Sequence, residues 1–491
     1  MIKKAAVFLF AVLFPAFLCA ATVNIFHTSD EHGFYFPVKK QGKTTGGYAT
    51  LANLLAREKT PYLLVSSGDF TSGTAEAKES KGMTGVEFMN KLGYKAATPG
   101  NHEGDFKEPA FHANIAAAKF DVIAVNIKDK KTGALPQNIK PYSFYKINGK
   151  KIAFIGMAKD PELKNSSMRF TWNKKAVKKA LAEVRKQNPD AIVFLVHSSI
   201  FDEKHEDSTS PAVLLKGIDG FNLVLGGHAH QILQNKIGGV YYAESGSYLE
   251  GVSKISLDFD DNTGKLNDIK INYIPLDTVK IGEKADIKAF AESKRNKELD
   301  TVIATAKETL YKNSPDVSKG VDSPLGNLFA DMIRQKAKTD IAVQNSGGIR
   351  VDIPKGEITK RLVFEVFPFP NKVVILKVNG AFIRKLILKT LRADSSLFQY
   401  SGLTVAYKYK NNRPQDLKIL IDGKPLDKDK IYTLAVNDYI AEGNSEGYMF
   451  KNLKDKTPLG DSAISDLFIE YLKQNAKDVK APPEGRLKKI S

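Results

Sequence analysis

Cysteine is almost absent: Cys19 is the only one in 491 residues, and it lies in an N-terminal leader. A mature chain without cysteine forms no disulfide and offers no thiolate as nucleophile or metal ligand. Long apolar runs are scarce as well. The single conspicuous one, "AAVFLFAVLFPAFLCA", follows Lys3 and Lys4 and ends in small residues. That is the pattern of a secretory signal peptide over residues 1–21, with Cys19 and Ala21 at the −3 and −1 positions of the cut. The run is short for a membrane span, Pro15 interrupts it, and "AFLC" fits a lipobox poorly. A secreted, periplasmic protein with no membrane span is expected. Acidic residues are outnumbered, 55 against 73 basic ones, for a formal charge of +18 that falls to +16 once Lys3 and Lys4 leave with the leader. Yet the lysines are scattered, with no arginine-rich run and no basic stripe interleaved with aromatics. Such a chain is expected to bind no nucleic acid and to attract anionic substrates mildly.

What is present is an ordinary globular composition in a chain too long for one core. Up to about residue 275, short apolar runs ("TVNIF", "PYLLVSS", "DVIAVNI", "KIAFIGM", "DAIVFLV", "NLVLGG") alternate with helical patterns such as "TLANLLAREK" and "AVKKALAEVRKQN". The alternation predicts an α/β layered domain over 22–282. Residues 283–312 are charged, helix-periodic and free of glycine and proline, and are expected to form a linker helix. A mixed α/β C-terminal domain is expected over 313–491.

Five apolar runs of the first domain end in metal-ligand chemistry. "VNIFHTSDEH" delivers Asp30 and His32, "LLVSSGDF" Asp69, "AATPGNHEGD" Asn101, His102 and Asp105, "AIVFLVHSS" His197, and "LVLGGHAH" His228 and His230. A lone histidine after a strand is usually a solvated or capping side chain. Here five of only eight histidines fall at such ends, and in an α/β sheet the carboxyl ends of parallel strands share one edge. Asp30/His32 and His228/His230 are each two residues apart, so each pair leaves its strand on one side. Nitrogen and carboxylate ligands without sulfur suit Zn, Mn, Fe, Co or Ni. Seven of them exceed one tetrahedral ion and suit two ions about 3.5–4 Å apart.

The blocks D-x-H, G-D, G-N-H-E, H and G-H-x-H, in that order, resemble the calcineurin-like metallophosphoesterases. "LGNLFADMI", "NSGGIR", "NDYIAEGNSEGY" and "EGRL" are similar to the C-terminal domain of the bacterial 5′-nucleotidase and UDP-sugar hydrolase family. The resemblance implies a four-layer sandwich joined by the helical linker to a substrate-binding domain. It also implies two divalent ions, one held by Asp30, His32, Asp69 and His230, the other by Asp69, Asn101, His197 and His228. Asp69 would bridge them, and His102 with Asp105 would be the catalytic dyad beside a scissile phosphate, with Asn101 also reaching a phosphate oxygen. In the C-terminal domain it points to Asn345, Gly348, Arg350, Asn371, Phe398, Gly402, Tyr439 and Glu446 as substrate-binding residues. Two departures bear on the nucleoside. "LFQYSG" puts Leu397 and Phe398 where the family has F-x-Q, and "GNSEGY" replaces G-G-D-G-Y, leaving Ser445 or Glu446 in place of the ribose-contacting Asp. The activity implied is release of phosphate from nucleotides or another phosphomonoester. Related enzymes on 2′,3′-cyclic nucleotides, UDP-sugars or a sulfur-oxyanion ester are the alternatives, and a periplasmic solute-binding protein is the rival from another class.

Overall fold

The computed structural model describes residues 21–40, 43–161, 163, 166–199, 210–476 and 478–490. Residues 1–20 of the expected signal peptide lie outside them. The chain divides into two compact units: the first runs to Thr71 and resumes over Gly85–Ala291, and the second combines Ser72–Thr84 with Glu292–Ser491.

The first unit is a sandwich of two sheets. In the seven-stranded sheet, β1 (Thr22–Thr28), β2 (Tyr62–Ser66), β3 (Ala96–Ala97) and β4 (Asp121–Ile123) pair in parallel, each with the next. The six-stranded sheet contains β5 (Lys150–Met157), β6 (Ala191–Val196), β7 (Leu223–Gly226) and β8 (Val240–Ser245), again parallel in that order. The chain then returns to the first sheet as β9 (Gly251–Phe259), antiparallel to β1. Alternate residues of both sheets, including Val23, Ile25, Leu63, Val65, Val193, Leu195, Leu223, Leu225, Ile255 and Leu257, meet in one dry core. Each such side chain contributes on the order of 1.5–3 kcal/mol by leaving water. Helix α1 (Lys174–Arg185) covers the outer face of the second sheet. Asn173 caps it by accepting from the Ala176 N–H, and Val177, Ala180, Leu181 and Val184 form its buried stripe at helical spacing.

The expected linker helix over 283–312 is corrected by the structure. The helix occupies only Ala285–Lys294, and Asn296 then caps a single 3₁₀ turn. Val302–Ala306 is a strand, antiparallel to Gly356–Thr359. The β-branched run Thr301-Val302-Ile303 favours an extended backbone, and Ile303, Ala304 and Ala306 are drawn into the core of the second unit. The second unit has a five-stranded sheet that includes β10 (Ile341–Asn345), β11 (Lys372–Asn379), β12 (Phe398–Ser401) and β13 (Ile431–Asn437). Helix α2 (Pro324–Ala337), capped by Ser323 with proline in its first turn, packs with the Ile464–Gln474 helix in one core of this unit. The Gly380–Thr390 helix and a four-stranded sheet build the other core.

Candidate metal centre

Parallel pairing brings the ligand-bearing ends of the strands to a common edge. Asp30 and His32 follow β1, Asp69 follows β2, the Asn101–Asp105 stretch follows β3, His197 ends β6, and His228 and His230 follow β7. The backbone there is unusual. Asp30, His32, Asp69, His228 and His230 all have left-handed φ, of 53°, 48°, 59°, 77° and 57°. Non-glycine residues pay on the order of 1–3 kcal/mol each for such conformations and persist in them only where the surroundings hold them. The hold is visible: Asp30 N donates to Gly68 O at 2.9 Å and His32 N to Asp69 O at 2.8 Å. At Gly100 a Cβ would stand 2.2 Å from Asp69 Oδ1, so only glycine lets the third loop approach the second.

The side chains converge in three overlapping trios: Asp30/His32/His230, Asp69/His197/His228 and His32/Asp69/His102, each with ligand atoms within 4.8 Å of one another. His32 Nε2 lies 3.1 Å from His230 Nε2 and 3.7 Å from Asp69 Oδ2, and His230 Nε2 lies 3.5 Å from Asp30 Oδ1. His197 donates from Nδ1 to the Ser67 carbonyl at 2.6 Å, which turns Nε2 to within 2.9 Å of Asp69 Oδ2. His102 differs from the others. Its backbone N–H donates to Asp69 Oδ1 at 2.8 Å, and its Nδ1 is 2.9 Å from Asp105 Oδ2. The first two trios each gather three of the residues that the resemblance groups together.

These residues fit a divalent metal. Asp30 and Asp69 are fully buried beside each other. Burial and the Asp69 carboxylate push Asp30 up to about 6 against the pull of His197. Burial would lower His197, but Asp69, Asp30 and Glu103 raise it to about 9, and burial holds His228 well below the usual imidazole range. Among the described residues, the buried Asn101 Oδ1 has no hydrogen-bond partner, an unmet acceptor of the kind a cation satisfies.

Sequence reasoning missed the groups behind the ligands. Glu103 accepts from the backbone N–H groups of Asp69, Phe70, Thr71 and Gly100 and from the Thr71 hydroxyl, tying the second loop to the third. Glu31, between Asp30 and His32 in the loop after β1, is fully buried and accepts from Thr28 and Ser66 hydroxyls. An acid inside an apolar-flanked ligand block is the signal that marks both.

Residues 23–232 match the calcineurin-like phosphoesterase family, and residues 302–452 match the 5′-nucleotidase C-terminal domain family. The chain therefore carries a calcineurin-like phosphoesterase domain followed by a 5′-nucleotidase C-terminal domain, and is a metal-dependent phosphoester hydrolase. It is 27% identical over 458 residues to the endonuclease YhcR of Bacillus subtilis, covering 88% of this chain but only 37% of that protein. It is 26% identical over 482 residues to a 5′-nucleotidase of Vibrio parahaemolyticus, covering 87% of this chain and 84% of the relative. The crystal structure of a 5′-nucleotidase precursor from Thermus thermophilus superposes with a TM-score of 0.83 at 24% identity, over 96% of this chain and 99% of that one.

In the 5′-nucleotidase-type C-terminal domain, several of the expected substrate residues share one end of the five-stranded sheet. β10 runs parallel to β13 and β11 antiparallel to it, so Asn345, Asn371 and Tyr439 emerge together. Asn345 Oδ1 accepts from Asn437 Nδ2 at 2.7 Å, and Asn371 Nδ2 donates to Asp438 Oδ1 at 2.9 Å; Asn437 and Asp438 were not foreseen. Gly348 is buried in the turn after β10, where a Cβ would come within 2.7 Å of Gln344 Nε2. Arg350 lies over the Phe369 ring, 5.8 Å from its centroid. Two expectations are corrected. Phe398 is 0% exposed: strand alternation sends it with Tyr400 into the core, so it presents no open face for a base. Gly402 sits beyond the other end of β12 and has a left-handed φ of 83°. A Cβ there would stand 2.1 Å from the Asp340 carbonyl oxygen, so the position demands glycine for the fold rather than for substrate. The side chain of Glu446 lies outside the described residues.

Proposed function

We propose that this chain is an exported nucleotidase that releases phosphate from nucleoside monophosphates with two divalent ions at the strand ends. The convergence of six N and O ligands in two trios, with the His102–Asp105 pair and the unmet Asn101 Oδ1 in the neighbouring loop, carries this reading. Asp30, His32 and His230 would hold one ion, His197, His228 and Asn101 the other, and Asp69, near both groups, would be available to either. Bound there, the ions supply Lewis acidity and make water a competent nucleophile near neutral pH. Asp105 accepts from His102 Nδ1–H and so leaves Nε2 for the substrate, where the imidazolium stabilises charge on the phosphoryl group or protonates the leaving oxygen. Arg350, Asn345, Asn371 and Tyr439 position the remainder of the substrate, Tyr439 by stacking on the base.

The test is a panel of nucleoside monophosphates, cyclic nucleotides, UDP-sugars, sulfur-oxyanion esters and simple aryl phosphates, assayed on the metal-loaded full-length protein. A preference for nucleoside monophosphates is expected. Equal rates on aryl phosphates, or turnover confined to one of the other classes, would replace the nucleotidase reading while leaving the hydrolase in place.

A further inference from the structure

A sixth histidine lies beneath the ligands and is not one of them. The inward-facing row of β1 runs Val23, Ile25, His27, and the rows beside it run Leu63, Val65, Ser67 and Leu257, Ile255, Ser253. Across the sandwich, Ala243 is followed in the same row by Ser245. The dry core between the sheets therefore ends, on the side of the metal ligands, in one polar layer. His27, Ser67, Ser245 and Ser253 are all 2% exposed or less.

The bonds in this layer join the two sheets. Ser67 Oγ donates to the Leu225 carbonyl of β7 at 2.9 Å, so it accepts from His27 Nε2–H at 2.8 Å. His27 Nδ1 lies 2.7 Å from the Ser245 hydroxyl. Ser245 and Ser253 hydroxyls are 2.9 Å apart, which closes the chain back onto the first sheet at β9. The Ser67 carbonyl is the acceptor that turns His197 toward Asp69, and the Ser67 N–H donates to the Thr28 carbonyl at 3.0 Å. One neutral imidazole thus links β1, β2, β7 and β8, whose ends lead to Asp30, His32, Asp69, His228 and His230, and through Ser67 it reaches His197.

We propose that His27 is a positioning residue for the metal centre, its two-sided bond to Ser67 and Ser245 fixing the ligand-bearing strand ends of both sheets in register. The inference rests on the reading of those ends as a metal site. A ring with one donor and one acceptor nitrogen suits this place because each neighbouring hydroxyl needs a partner and neither can reach water. Phenylalanine fills the volume but removes both ring bonds, leaving the Ser67 hydroxyl tied only to the Leu225 carbonyl and the Ser245 hydroxyl only to Ser253, so nothing links the two sheets through this position. Outer partners of metal ligands typically change affinity about 10–100-fold.

Full-length wild type, His27→Phe, His27→Gln and the core variant Val193→Ala would be stripped with chelator and titrated with Mn²⁺ and Zn²⁺ by calorimetry. Aryl phosphate kinetics and melting temperature would be recorded on the same samples. His27→Phe is expected to bind metal at least about 10-fold more weakly and to lose kcat with little change in KM. His27→Gln, which keeps a donor and an acceptor, should recover part of both. Val193→Ala, a purely packing defect, should lower the melting temperature with unchanged metal affinity. If His27→Phe and His27→Gln lose thermal stability but bind both metals like wild type, the positioning role is wrong and the hydrolase reading survives. Wild type that takes up neither ion overturns both readings.

Discussion

Asp69 and His102 sit a few ångströms apart and are given opposite tasks by their surroundings. Asp69 is fully buried; one carboxylate oxygen faces His197 and His32, and the other accepts the His102 N–H. Asp69→Asn replaces an acceptor with an NH₂ group at this crossing point. It should lose metal on desalting and show only background hydrolysis, as read by elemental analysis and phosphate release. His102 is bound to Asp105 and partly exposed, at 16% for its side chain. His102→Asn should keep the metal content of wild type and lower kcat by about 10²–10⁴-fold, the usual range for a lost general acid–base group; a parallel loss of metal would make His102 a ligand. His27 predicts a pH dependence. Burial is the cause that lowers its imidazole from 6.5 to about 3, so between those values the unfolded chain takes up a proton that the folded chain refuses. Stability is therefore complete above pH 6.5 and falls as the pH drops. At about 1.4 kcal/mol per unit, this amounts to about 2 kcal/mol at pH 5. Urea unfolding of the chelated protein at pH 7 and pH 5 should show that much less decline in His27→Gln.

At the scale of elements, the ligand loops are short, strained and mutually braced, and the strands behind them are buried and largely apolar. Strain in five left-handed ligand residues is tolerable because Glu103, Gly68 O and Asp69 O occupy the donors those loops expose. The third loop closes on the second through Gly100, and a methyl group there would displace the Asp69 carboxylate. Gly100→Ala should accordingly weaken metal binding at least about 10-fold, since a ligand moved by even part of an ångström leaves its geometry. Metal titration of the purified variant, with circular dichroism to show that the fold is kept, checks this.

For the whole molecule, the proposed metal ligands belong to the first unit and the proposed substrate residues to the second, so chemistry and selectivity should respond to different substitutions. Tyr439→Ala should weaken nucleotide binding by about 1–3 kcal/mol, the worth of one base–aromatic stack, and leave aryl phosphate turnover unchanged. Phe398→Ala should do the reverse of what its place in the sequence suggests. As a core residue with no exposed surface, it should cost about 3–5 kcal/mol of stability and leave the ratio of nucleotide to aryl phosphate rates as in wild type. Competition assays and urea unfolding on both variants separate these outcomes.

The ligands were legible because each stands in a short block whose spacing survives folding: two residues apart on a strand end, or adjacent in a loop. The apolar runs showed which blocks end strands, and strand ends of a parallel sheet must share an edge. The sequence alone therefore determined the α/β class and pointed to Asp30, His32, Asp69, Asn101, His197, His228 and His230 as proposed ligands beside the His102–Asp105 pair, and the structure brings six of the seven into two clusters. Other assignments needed the tertiary structure, because they depend on partners distant in sequence. Helical periodicity continued past Lys294, but pairing with Gly356–Thr359 and burial against the second core made Val302–Ala306 a strand. An aromatic beside the expected clamp position reads the same whether it faces a ligand or a core, and only the register of β12 against β10 turned Phe398 inward. His27 lies in the same apolar run as Val23 and Ile25, and nothing local distinguishes it from a solvated strand end. Its partners are Ser67 and Ser245, 40 and 218 residues away, and a hydrogen bond of that span is decided by how two sheets pack.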